Sequence, residues 1–306
     1  MADQSGRRCA VVFNPTKVSD GFRDTLTERL EAAGWTQTLW LETSADDPGR
    51  GMTAEAVDAG VDRVIAAGGD GTVRIVADGL AGTGILMGLV PAGTGNLLAR
   101  NLGIPLKEAQ AIEVALGEHT RNVDLIKITV DDREPEHFAV MAGMGVDAMI
   151  MEETDTDLKA KIGSAAYFIA AGKALGRLPM DLRIKIDDHH THHRRTMIAL
   201  VGNVSQLTGN ITLLPGAAPD DGLLDVYVAS PHRFTHWLRV LVRLITRRRQ
   251  KDDQVDQWRG KRVEVRLSEP DSYQLDGDVV GQCRTLIAEI QPGALTVCVP
   301  EKTADS

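Results

Sequence analysis

The chain has 306 residues, 43% hydrophobic and 25% charged, long enough for two domains with separate cores. Its formal net charge of −9 speaks against wholesale nucleic-acid binding, and no apolar run approaches the length of a membrane span. Three scattered cysteines (Cys9, Cys283 and Cys298) offer neither a disulfide framework nor a zinc spacing. With no signal-peptide core in Met1–Arg8, a cytoplasmic setting is expected. In chain order, Cys9 to Asn14 reads as a buried strand running into Asn14-Pro15, and Asp20 to Ala33 as a helix with Phe22, Leu26 and Leu30 on one stripe, closed by Gly34. Trp35 to Leu41 reads as strand, Thr53 to Ala59 as helix and Arg63 to Ala67 as strand. A helix over Val73 to Leu80, a strand over Leu86 to Val90, and helices over Leu97 to Asn101 and Lys107 to Leu116 continue the series. This alternation predicts a doubly wound, mostly parallel sheet.

Two loops in that series carry chemistry. Gly68-Gly69-Asp70-Gly71-Thr72 follows the third strand, and Pro91-Ala92-Gly93-Thr94-Gly95-Asn96 follows the fourth, about 25 residues on. Glycines let bare backbone N–H groups approach a phosphate, and a helix starting behind them favours the anion. The carboxylate of Asp70 suits a Mg²⁺ ion or a proton to be removed, which points to phosphoryl transfer. Gly-Gly-Asp-Gly is also ordinary turn chemistry, so the first loop alone decides little; the second, at the same carboxyl edge, tips the balance. Neither loop is a G-x-x-x-x-G-K-[ST] or a G-x-G-x-x-G.

After Asn122 the pattern changes to period two. Asp124 to Val130, His137 to Ala142, Asp181 to Ile186, Thr196 to Val201, Leu224 to Ala229, Arg262 to Leu267 and Thr285 to Ile290 read as antiparallel strands. The segments 181–186 and 196–201 are expected to pair around a charged turn, and helices are expected near Leu158 to Leu175 and Phe234 to Arg249. The fold class is α/β with a second, antiparallel, sandwich-like β-rich domain. Boundaries are placed at 1–125 and 126–290, with a last strand (Leu295 to Val299, within about 291–306) returning to the first domain and the active site in the cleft between them.

Asn14-Pro15, the 68–72 and 91–96 loops and Leu275-Asp276-Gly277-Asp278 occur in an order that resembles the diacylglycerol-kinase catalytic family: soluble bacterial lipid kinases related to sphingosine and ceramide kinases. The segment 68–72 is shared with NAD kinases; its combination with 93–96, 220–225 and 275–278 is specific to the lipid branch. The resemblance implies ATP as donor, Mg²⁺, and a lipid hydroxyl, most of all that of diacylglycerol, as acceptor. It implies nucleotide contacts from Asn14, Pro15, Thr43, Gly68, Gly69, Asp70, Gly71, Thr72, Thr94, Gly95 and Asn96. It also implies catalytic duty for Asp70, Asp124, Asp276 and Asp278, and a structural Mg²⁺ on the carboxylate of Asp221 and the carbonyls of Ala218 and Leu223. Relatives usually carry Glu at the Asp278 position, often taken as the proton acceptor; the shorter Asp moves the charge by roughly 1.5 Å. The alternatives are a kinase of the same fold for a sphingoid base, another lipid alcohol or NAD, and an inactive nucleotide- and lipid-binding regulator.

Two further segments invite a reading. From His232 to Lys251 there are seven Lys/Arg and no acidic residue. With Phe234, Trp237, Leu238 and Leu241 on one helical face and Arg239, Arg243 and Arg247 on another, this is a core helix with a basic face that can also meet anionic lipid. Peripheral membrane association follows as an expectation, and a homodimer is left open. His189-His190-Thr191-His192-His193 is read as an exposed hairpin tip.

Overall fold

A computed structural model describes residues 7–145, 178–205, 214, 216–230 and 255–301. The helices expected near 158–175 and 234–249, with Arg239, Arg243 and Arg247, lie outside those residues. The chain divides into two units, Met1–Val123 with Gly293–Ser306, and Asp124–Pro292.

In the first unit, strands β1 (Arg7–Phe13), β2 (Trp35–Glu42), β3 (Arg63–Gly68) and β4 (Leu86–Pro91) are all parallel, in the order β4-β3-β1-β2. Every residue of β3 is buried, as a central parallel strand covered on both faces requires. Helices α1 (Phe22–Ala32), α2 (Arg50–Asp58) and α3 (Asp70–Leu80) connect them, and α4 (Leu97–Asn101) and α5 (Glu108–Leu116) follow β4. Phe22, Leu26 and Leu30 of α1 are buried, and Gly34 at φ +79° follows the helix where a left-handed residue is needed. Arg63 is buried whole: its guanidinium donates to the carbonyls of Ala115 (2.8 Å) and Gly117 (3.0 Å) at the end of α5 and lies 4.9 Å from the Trp35 ring. A helix C-terminus and an aromatic face compensate that cation in place of a carboxylate.

The second unit is antiparallel, in the order β12-β11-β10-β7-β13-β14. These are β7 (Met141–Gly145), β10 (Ile198–Gly202), β11 (Leu224–Ala229), β12 (Val255–Gly260), β13 (Arg262–Leu275) and β14 (Asp278–Cys298). β8 (Met180–Ile186) pairs with β13 and with β9 (His192–Thr196), while β5 (Thr120–Val130) pairs with β14 and with β6 (Glu136–Phe138). Ile126, Phe138, Met144, Leu182, Val226, Tyr273 and Leu286 belong to one buried cluster. The last residues of β14 run parallel to β4, with Thr296 opposite Leu86 and Val297 opposite Met87.

Several expected strands are redrawn. The stretch 137–142 is broken in two because the amides of Ala139, Val140 and Met141 donate to the Asp276 carboxylate and not to a ladder. The stretch 196–201 is also split, and its main part does not pair with 181–186. β9 takes that place, and Ile198–Gly202 lies between β7 and β11. His192 and His193 therefore sit in a strand, where the His192 ring stacks on Trp258 at 4.9 Å. β13 runs past Leu267 through an irregularity between Arg266 and Asp271, which accommodates Pro270. The segments 285–290 and 295–298 are parts of one long strand, which ends one residue before the expected Val299. β12 has no sequence signal at all, since Val-Asp-Gln-Trp-Arg-Gly lacks both an apolar run and an alternation.

Candidate active site

Parallel register sets four chain segments in a row. Phe13 stands opposite both Glu42 and Ala67, and Gly68 opposite Pro91. The ladder continues one step beyond the strands: Asn14 N–H donates to Ala67 O (2.9 Å), Thr43 N–H to Phe13 O (2.9 Å) and Ala92 N–H to Gly68 O (2.8 Å). Asn14, Thr43, Gly68 and Ala92 thus share the carboxyl rim of the sheet. The connection leaving β1 goes to β2 on one side, and that leaving its neighbour β3 goes to β4 on the other, so the rim holds a topological switch point, where open α/β sheets bind ligands. Thr43 and Thr72 are buried, Asn14 is half-buried, and Pro15 and Thr94 are exposed. The side-chain Oδ1 of Asn14 accepts from both the N–H (3.0 Å) and the hydroxyl (2.8 Å) of Thr16, which fixes the plane of the side-chain amide.

The two glycine-rich loops touch through their backbones. A Cβ on Gly93 would lie 2.7 Å from the Cα of Gly69, and one on Gly95 would lie 2.6 Å from Asp70 Oδ2. Asn96, at φ +49°, satisfies both backbone groups of Gly93: its Oδ1 accepts from Gly93 N–H (2.9 Å) and its Nδ2 donates to Gly93 O (2.7 Å). Asp70 closes the clasp, with its two carboxylate oxygens accepting from the N–H groups of Asn96 (2.8 Å) and Leu97 (2.6 Å) at the start of α4. Helix α3 begins at Asp70, ahead of the expected Val73, so the turn Asp70–Thr72 is already helical and Gly69 serves as its N-cap. The first N–H groups of such a helix have no partner within it, and they carry the positive end of its dipole.

In the second unit Asp124 is 3% exposed and tied at three points. Its N–H donates to Pro219 O (2.7 Å), its carbonyl accepts from Asn203 Nδ2 (3.0 Å), and its Oδ2 accepts from Gly222 N–H (2.7 Å). Asn203, fully buried, also donates its N–H to Val140 O (2.9 Å). Val140 in turn donates to Asp276 Oδ1 (3.0 Å), which also takes Met141 N–H (2.9 Å), while Oδ2 takes Ala139 N–H (3.1 Å). Asp124, Asn203 and Asp276 are therefore members of one buried polar network. Asn203 had no motif to mark it; only its place beside β10 reveals it. Asp276 (φ +48°) and Gly277 (φ +95°) are the two central residues of the β13–β14 hairpin, both at the positive φ that a type I′ turn needs. The four carboxylates expected in catalysis are therefore not equivalent. Asp70, Asp124 and Asp276 accept from backbone amides, whereas Asp278 is exposed at the start of β14.

The ion expected on Asp221 does not fit the residues present. Asp221 Oδ2 accepts from Arg259 Nη2 and Oδ1 from Leu223 N–H (3.1 Å), so both oxygens are engaged. Among the described residues no group of three or more His, Cys, Asp and Glu side chains could hold a metal. Burial pushes the neighbouring Asp225 carboxyl above its ordinary range, against the pull of Arg259. Arg259 was not singled out in the sequence, because the strand that carries it was not legible there. Among the described residues no helix is long and apolar enough to cross a membrane.

Residues 8–128 match the diacylglycerol kinase catalytic domain, and residues 140–299 match the YegS C-terminal NAD kinase beta sandwich-like domain. The chain is 34% identical over 285 residues to a Pseudomonas fluorescens protein named "Probable lipid kinase YegS-like", an alignment covering 90% of this chain and 89% of that protein. It is 32% identical over 253 residues to a protein of Mycobacterium tuberculosis named "Diacylglycerol kinase", covering 82% of this chain and 81% of that protein. The crystal structure of a diacylglycerol kinase from Bacillus anthracis str. Sterne shares the fold, with a TM-score of 0.71 at 22% identity over 97% of this chain and 98% of the other.

Proposed function

Because the chain belongs to the diacylglycerol kinase and YegS-like lipid kinase family, and is thus a kinase that uses ATP, we propose that it transfers the γ-phosphate to the hydroxyl of diacylglycerol, giving phosphatidic acid. The observation that carries this reading is the clasp of the two glycine-rich loops at a sheet switch point, with the N-terminus of α3 beside it. Backbone N–H groups of Gly69, Gly71 and Thr72, together with the Gly93–Asn96 loop, cradle the phosphates. Asn14 and Thr43, neighbours along the same rim, hold the nucleoside. Mg²⁺ bound with the nucleotide would neutralise part of its phosphate charge.

Little covalent chemistry then remains for the protein; positioning and electrostatics dominate phosphoryl transfer. An alcohol keeps its proton at neutral pH, so a carboxylate must accept it as the new P–O bond forms. Asp278 takes that duty in our reading, since it is the exposed carboxylate of the four. Asp70 and Asp276 act as positioning residues through the amides they hold, and Asp124 orders the 219–222 segment. The lipid acceptor requires contact with a membrane surface, so peripheral association belongs to the same proposal. Transfer of labelled phosphate to diacylglycerol in mixed micelles, with a sphingoid base, other lipid alcohols and NAD alongside, tests it. Transfer to NAD alone, or to no acceptor despite ATP binding, overturns it.

A further inference from the structure

Asp225 of β11 stands directly across from Arg259 of β12 in the antiparallel pair, and its side chain is 1% exposed. A carboxylate so buried persists only with a cation and hydrogen bonds beside it. Arg259 supplies both: Nε lies 3.1 Å from Asp225 Oδ1, and Nη2 donates to Oδ2 at 3.2 Å. The same Nη2 donates to Asp221 Oδ2 and, at 3.3 Å, to the carbonyl of Gly216. One planar fork, placed by strand register, thus gathers two carboxylates and a loop carbonyl. Those are the hard oxygen donors a divalent cation would seek. An ion on Asp221 would meet this fixed positive charge at contact range. It would have to displace the fork, and Asp225 would be left buried without its counter-charge.

We propose that Arg259 stands where relatives of this fold would place a structural cation, so that the 216–225 segment of this chain is held without a metal. The reading concerns the second unit alone and does not depend on which acceptor is phosphorylated. Thermal unfolding of the full chain, free of nucleotide, is compared in excess EDTA and in millimolar Mg²⁺. The wild-type transition is expected to move by less than about 1 °C, whereas a metal site saturated a hundredfold over its Kd would raise it by roughly 5–10 °C. Arg259→Ala is expected to unfold roughly 10 °C lower and to regain part of that loss in Mg²⁺, as the vacated oxygens take the ion. A wild-type protein stabilised by several degrees in Mg²⁺ and weakened by EDTA overturns the proposal, and so does an Arg259→Ala protein that shows no regain. Should that variant not fold, the wild-type comparison decides alone.

Discussion

Asp70 offers the sharpest separation between a group that reacts and a group that positions. Its oxygens accept from Asn96 N–H at 2.8 Å and Leu97 N–H at 2.6 Å, joining the 68–72 loop to the start of α4. A hydrogen bond to a charged group contributes about 1.5–3 kcal/mol. Asp70→Asn keeps one acceptor oxygen and turns an NH₂ group toward an amide donor, so about 2–4 kcal/mol of local order is lost. If about 2 kcal/mol of that must be restored when nucleotide binds, ATP affinity falls about 30-fold. The expected signature is a raised KM for ATP, a weakened Kd by calorimetry and a lowered unfolding transition, with a smaller change in kcat. A proton acceptor gives the opposite split: kcat collapses while ATP binding stays intact. An Asp70→Asn protein that binds ATP as tightly as wild type, with an unmoved transition, refutes the clasp as the source of its importance.

Asp276→Ala orphans three amides and should destabilise the protein by at least about 3 kcal/mol, read by denaturant titration and by faster hydrogen exchange at residues 139–141. Asp278→Asn should change stability by no more than about 0.5 kcal/mol yet slow transfer by roughly 10²–10⁴-fold in the micelle assay. Asp47 accepts from the N–H groups of Gly49 (2.9 Å), Arg50 (2.7 Å) and Gly51 (2.9 Å) at the start of α2, and these bonds, that of Gly49 foremost, hold its carboxyl below the usual range. A carboxyl depressed on folding stabilises above its unfolded pKa of about 3.9 and loses that contribution as pH falls through the folded value, so the penalty of Asp47→Ala, about 1 kcal/mol at pH 7, should shrink as the solution is acidified below the usual carboxylate range. Burial pushes the thiols of Cys9 and Cys283 up to about 12, and Cys298 is raised for the same reason, so native protein at pH 8 should leave all three unreacted with a thiol reagent that titrates them after unfolding.

The parallel half was legible because its signals are local. Arg63 to Ala67 is a short apolar run ending in two glycines, and β3 covers it with one residue more. The row formed by Asn14, Thr43, Gly68 and Ala92 follows from strand order and register, which alternation of strand and helix already restricts. The antiparallel half was read less well because its breaks are made by distant partners. Nothing in residues 137–142 tells that three successive amides will turn to a carboxylate 135 to 137 positions away. Likewise β12 exists because β11 offers it an edge, and its own Asp-Gln-Trp-Arg sequence carries no strand signal.

The same distinction explains why four aspartates of similar promise part company. In a motif each is a carboxylate next to glycine or at a strand end, and spacing cannot say how many donors a fold will aim at it. Asp276 sits at a positive-φ turn position, 4% exposed, and three amides occupy its oxygens. Asp278, two residues later and past Gly277, is exposed. Three backbone amides held by Asp276 anchor the hairpin that carries Asp278, so in the function proposed above Asp276 is the positioning group and Asp278 the proton acceptor. This division makes the paired variants informative: loss of Asp276 should harm the fold and the reaction together, and loss of Asp278 the reaction alone.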